Sequence, residues 1–205
     1  MLRVALGFRM HSGWGVAVAL DEQCVAVERR RIDLVRDNAR GGRQPYHHAR
    51  ELGIEQAEKF LSEYVALCES AAQAELARII SALGHNYELA GAGLVLASAR
   101  PLPSLPQILS AHPLIHTAEG HLFREVIRRS CSVAAIPVTG ISEKQLGSHL
   151  EECFGKNAGR MKQSIERSGR SLGPPWNSDH KQAATAAAIA LQGFTKRVRV
   201  QGSGA

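Results

Sequence analysis

Two apolar runs joined by a turn too short to hold a helix constrain this chain more than any other feature. Residues 2–8 (Leu-Arg-Val-Ala-Leu-Gly-Phe) and 14–20 (Trp-Gly-Val-Ala-Val-Ala-Leu) are each strand-length, and the loop Met10-His11-Ser12-Gly13 reverses the chain between them. After Asp21-Glu22-Gln23 a third run, 24–32, passes from apolar residues into Arg29-Arg30-Arg31, as an edge strand leaving a core would. Connections this short admit only antiparallel neighbours, so the first third is expected to be a three-stranded meander.

The rest of the chain alternates helical and strand signals. Residues 35–53 carry Gly41-Gly42, Pro45 and many charges, and read as an exposed connection. From Ile54 to Leu83 apolar residues including Leu61, Tyr64, Cys68, Ala72, Leu76 and Ile79 recur at three- and four-residue spacing, and Gly84 supplies the stop. Residues 92–97 are continuously apolar, the pattern of a sheet centre. A loop punctuated by Pro101, Pro103, Pro106 and Pro113 leads to a helix at about 117–131, then a short strand at 135–138. Ser142 with Gln145 suggests a capping box opening another helix. Residues 157–177 are polar and rich in Gly, Ser and Pro, so a mobile stretch is expected. An alanine-rich helix follows at about 179–191, capped by Asp179 or Ser178. Strand–helix–strand crossovers build parallel pairing, which predicts an α/β fold with a mixed sheet and helices on both faces. A chain of 205 residues fits one domain, 1–192, with a basic, flexible tail at 193–205.

Charge and cysteine usage narrow the function classes. The net charge of +6 is spread along the chain and admits nucleic acid as a partner, although it also serves solubility. No apolar run approaches the roughly 18 residues of a membrane span, and the residues after Met1 lack the apolar core of a secretion signal. Cys24, Cys68, Cys131 and Cys153 are far apart, which argues against a zinc ribbon and fits buried thiols in a reducing, cytoplasmic setting.

Three segments together resemble the ribonuclease H-like superfamily, and within it the Holliday-junction resolvases. Ala5-Leu6-Gly7-Phe8-Arg9 through Gly13-Trp14-Gly15-Val16 resembles their first hairpin. The long helix followed by strand 92–97 matches the next unit, and Gln182-Ala183-Ala184-Thr185 with the alanines after it resembles the closing helix. The resemblance implies a ribonuclease H-like sheet and, in intact members, carboxylates holding two divalent metals that cleave phosphodiesters. Here Arg9 stands at the first acidic position, Ala97-Ser98-Ala99-Arg100 ends the central strand where a second acid is expected, and Gln182 and Thr185 replace the closing pair. Only Asp179, one turn earlier, offers a substitute. A guanidinium opposes Mg²⁺, which needs oxygen ligands, so two-metal nuclease activity is not expected.

A second constellation is His112, His116, Glu119 and His121 after the central strand. Imidazole plus carboxylate suits zinc, iron or an acid/base pair, with Glu119, His116 and Asp179 as candidate catalytic groups and His121 as a metal ligand; the spacing matches no strong metal signature, and the cofactor stays open. Glu119 could equally serve a helix N-terminus. Tyr46-His47-His48-Ala49-Arg50 could reach the same cleft, with Arg43 and Arg50, like Arg9, as anion contacts. Ser12-Gly13-Trp14-Gly15 links strands and opens no helix, so it is no phosphate loop. The functional expectation is a non-catalytic module binding nucleic acid or protein, or a homo-oligomer; the alternative is a hydrolase built on the His/Glu site.

Overall fold

The computed structural model describes residues 1–36, 38–97 and 101–202, with residues 194–202 as backbone. Ser98 to Arg100 and the side chains of the expected tail therefore lie outside the described residues. β1 (Leu2–Met10), β2 (Trp14–Asp21) and β3 (Ala26–Asp33) form the antiparallel meander. α1 (Pro45–Arg50) and the 30-residue α2 (Ile54–Leu83) cross to β4 (Tyr87–Leu96), which pairs parallel to β1. α3 (Leu105–Ser110) and α4 (His112–Val133) cross to β5 (Val138–Ser142), parallel to β4, and α5 (Leu146–Phe154), α6 (Ala158–Leu172) and α7 (Ser178–Gly202) follow. The sheet order is β3-β2-β1-β4-β5. Among the described residues no helix is long and apolar enough to cross a membrane.

Strand alternation divides the core in two. Val4, Leu6, Phe8 and Met10 of β1 face α2 and α4, where they meet residues such as Tyr64, Ile79, Phe123 and Ile127. Ala5, Val16, Val18 and Val95 face the other way, against α7 and the inner sides of α5 and α6. On that side Gly7 and Gly93 sit beside each other in the parallel register of β1 and β4. A Cβ on Gly7 would overlap the Ala183 carbonyl, and one on Gly93 would overlap that of Ala186. Backbone and helix are thus in direct contact, possible only with glycine below and alanine above.

Several local expectations are corrected. The connection at 35–53 contains α1, started by Pro45 in the first turn and anchored by buried Pro45 and Ala49. The stretch expected to be mobile forms α6 over most of its length. Its buried stripe is thin, Ala158, Ile165 and Ser168 with Met161 and Leu172 packed alongside, so polar residues outnumber the signal. β5 begins at Val138 rather than ending there, because Ala135 takes a positive φ of 56° after α4 and Ile136 N–H returns to the Cys131 carbonyl. α4 begins at His112, earlier than expected, with Pro113 in its first turn. The capping box is at Ser104 and Gln107, not at Ser142. Asn177, rather than Asp179 or Ser178, caps α7 by accepting from the N–H groups of Asp179 and His180.

The glycine floor yields the first prediction. Gly93→Ala is expected to lower unfolding free energy by about 3 kcal/mol, since α7 must lift from the sheet. Gly147→Ala, with open space around its Cβ position, should change it by less than about 0.5 kcal/mol. Urea unfolding of both variants measures the difference.

Candidate functional site

The seam under α7 decides what meets the end of β1. Two residues beyond Gly7 along the strand is Arg9, turned by alternation to the same face. Four residues before Ala183 along the helix is Asp179. These steps span about 6.6 Å and about 6 Å, so a helix running opposite to the strand brings the two residues together. Arg9 Nη2 lies 3.0 Å from Glu143 Oε2, and its Nε lies 3.9 Å from Asp179 Oδ1. Asp179 Oδ1 also meets His11 Nε2 at 3.0 Å. Gln182 Nε2 donates to Glu143 Oε1 at 3.3 Å. Thr185 instead donates to the Lys181 carbonyl within its own helix.

This cluster is close to charge balance. Arg124, half-buried on α4, has its guanidinium pushed below the usual arginine range, first by burial and then by the charge of Arg9, with Glu143 acting the other way. Two guanidinium groups thus stand against two carboxylates before His11 is counted. Glu143 comes from the short turn after β5, and its place depends on the β4–β5 pairing that sequence periodicity does not reveal.

A second cluster lies on the other side of the β1–β2 turn, on α1 and α4. Glu119 is buried, with 2% of its surface exposed. Its Oε1 accepts from the backbone N–H of His47 at 3.3 Å and lies 2.9 Å from His47 Nδ1. Its Oε2 is 3.8 Å from His116 Nδ1. His47 Nε2 and His112 Nε2 are 3.3 Å apart. α4 begins seven residues before Glu119, so the helix N-terminus this carboxylate serves is not that of α4 but that of α1, through the first-turn N–H of His47, together with the histidine rings. Of the expected catalytic trio, Glu119 and His116 come together, whereas Asp179 pairs with His11 and Arg9. His121 is exposed and stands outside the grouping of His47, His112 and His116. His47 supplies the imidazole that spacing within residues 112–121 could not indicate, although its loop was expected near this cleft.

A cavity of about 650 Å³ opens beside Glu119 and His116, and Ser12, Arg36 and Arg43 also line it. Arg43 lines this cavity, whereas Arg50 is exposed at the end of α1 and does not line it. Two arginines of the densest basic run have partners within the chain. Arg29 donates to the Gly173 carbonyl at 2.9 Å, while Arg31 pairs with Asp33 at 3.0 Å and lies over Trp14.

Two stability predictions follow from the α7 end of the site. Arg9→Ala leaves Glu143 and Asp179 without their shared cation and is expected to cost about 2 kcal/mol in urea unfolding at neutral pH, with Arg9→Lys recovering only part because a compact ammonium cannot pair with Glu143 at 3.0 Å while holding charge within 3.9 Å of Asp179 as the guanidinium does. His180 Nδ1 lies 2.6 Å from Asn177 Oδ1, and its pKa is lowered, first by burial and then by Arg29, against an opposing effect of Asp179. A depressed imidazole pKa means that the unfolded chain takes up the proton first, so stability present above the ordinary histidine range is lost as pH falls through it. Urea midpoints measured from about pH 7 to about pH 5 should fall less for His180→Asn than for the wild type.

No family model matches the sequence, and no curated protein matches it. Among solved structures the chain is similar to RuvC of T. thermophilus in complex with Holliday junction substrate, at 10% identity and a TM-score of 0.51, covering 96% of both chains. A second Thermus thermophilus RuvC structure aligns at 9% identity and a TM-score of 0.48, again over 96% of each chain. With the strand order and the two helical layers, the first of these likenesses establishes the architecture: the chain has the mixed α/β, ribonuclease H-like fold of a RuvC-type resolvase.

Proposed function

We propose that this chain is a nucleic-acid binding module of ribonuclease H-like fold that lacks two-metal nuclease chemistry. The observation that carries the reading is the Arg9–Glu143–Asp179 cluster at the end of β1. Two-metal cleavage needs several carboxylate oxygens free to bind hard cations. Here the two carboxylates present are matched by guanidinium groups, and a divalent ion would have to displace Arg9 from between them.

Binding is supported by different features. The similar resolvase structure holds a Holliday junction substrate. The net charge of +6 favours a polyanion, and the cavity beside the β1–β2 turn carries Arg36 and Arg43. Four free cysteines, three of them buried, suit a reducing compartment, and we place the module in the cytoplasm.

The test is a salt series on branched, duplex and single-stranded DNA, with cleavage followed in Mg²⁺ and Mn²⁺. Affinity is expected to fall steeply with salt and no strand to be cut. Arg36→Ala with Arg43→Ala should weaken binding and reduce the logarithmic salt slope by about 2, roughly one per phosphate contact. Absence of binding at low salt, or metal-dependent cleavage, would overturn the proposal.

A further inference from the structure

The histidines on α1 and α4 form a cluster that the nucleic-acid reading does not use. His112 and His116 are four residues apart and share one face of α4. α1 brings His47 against them, and the three rings approach with centroids 4.4–5.2 Å apart. One nitrogen from each ring can be chosen so that all three lie within 4.8 Å of one another. Tetrahedral zinc with bonds of about 2.0–2.1 Å sets neighbouring ligand atoms about 3.3 Å apart. His47 Nε2 and His112 Nε2 are already 3.3 Å apart.

Glu119 supplies what such a site needs behind its ligands. A ligating histidine usually donates its other N–H to a carboxylate, which fixes the tautomer and raises the basicity of the ligating nitrogen. Glu119 Oε1 is 2.9 Å from His47 Nδ1, leaving Nε2 of that ring for the cluster. Its Oε2 approaches His116 Nδ1 at 3.8 Å. A carboxylate that is 2% exposed carries a desolvation cost, and a bound cation reached through imidazole would offset it. His112 and His116 are exposed, so their rings can close on an ion without disturbing the core.

We infer that His47, His112 and His116 bind one divalent ion of the zinc class, with Glu119 as the positioning residue behind His47. Nitrogen donors select zinc, cobalt, nickel or copper over magnesium and calcium. Three protein ligands leave a fourth position for water or another small donor. An ion held this way fastens α1 to α4 beside the cavity that His116 and Glu119 line.

The experiment is a titration of the full, untagged chain with Co²⁺, read by its visible d–d absorbance and followed by displacement with Zn²⁺. One Co²⁺ per chain is expected, displaced stoichiometrically by Zn²⁺. His112→Ala combined with His116→Ala should abolish the absorbance, whereas His121→Ala should leave it unchanged. Glu119→Gln should keep the stoichiometry and weaken affinity by about tenfold or more. X-ray absorption of the zinc-loaded wild type, which depends on no variant, should count three imidazoles. No stoichiometric absorbance, persistence in the double variant, or fewer than three imidazoles would overturn the inference. None of these readouts depends on nucleic-acid binding.

Discussion

The contact between α7 and the sheet at Gly7 and Gly93 governs the geometry of the whole α7 side of the molecule. Two glycines side by side in neighbouring parallel strands leave a flat patch of backbone, and alanine carbonyls of the helix rest on it. A side chain at either position would hold the helix off. Because the contact is backbone against backbone it sets both height and register, and the register puts the first turn of α7 over the end of β1. The polar cluster at that end follows from an apolar seam.

What sits there is decided by charge. On a ribonuclease H-like sheet the same seam could present acids from strand and helix to a pair of metal ions. In this chain the strand contributes Arg9 and the helix Asp179, with Glu143 entering from the turn after β5. These groups attract one another. On the reading proposed above, the strand's cation takes on the electrostatic role of metal ions; the ion pairs also contribute to holding α7 and the β5 turn together. On the other side of the β1–β2 turn, Glu119 is matched by imidazoles instead of guanidinium. That difference separates a closed ion-pair network from one with nitrogen atoms still available.

Much of the fold was legible because it rests on local periodicity. The strands of the meander, α2 and the apolar β4 announce themselves by alternation, helical spacing and a glycine stop, and the antiparallel-then-parallel topology follows from connection lengths. α6 was hidden because a single buried stripe, Ala158–Met161–Ile165–Ser168–Leu172, includes a serine and an alanine and is diluted by charged neighbours. Ser168 is buried because its hydroxyl accepts from the Ala26 N–H across 142 residues, which no window can see. The site was half legible for the same reason. Arg9 and Asp179 could be read from their place in a motif, and Glu119 with His116 from their closeness in the sequence. Glu143 and His47 enter through tertiary contacts, 36 residues before Asp179 and 72 before Glu119 respectively.

The most direct measurement is a crystal structure of the chain grown in Mn²⁺, with anomalous scattering mapped at the end of β1. The expected map shows no manganese between Glu143 and Asp179, with the Arg9 guanidinium in place against both carboxylates. Two manganese peaks there, with Arg9 swung out to solvent, would contradict the proposal that this cation has replaced the metals.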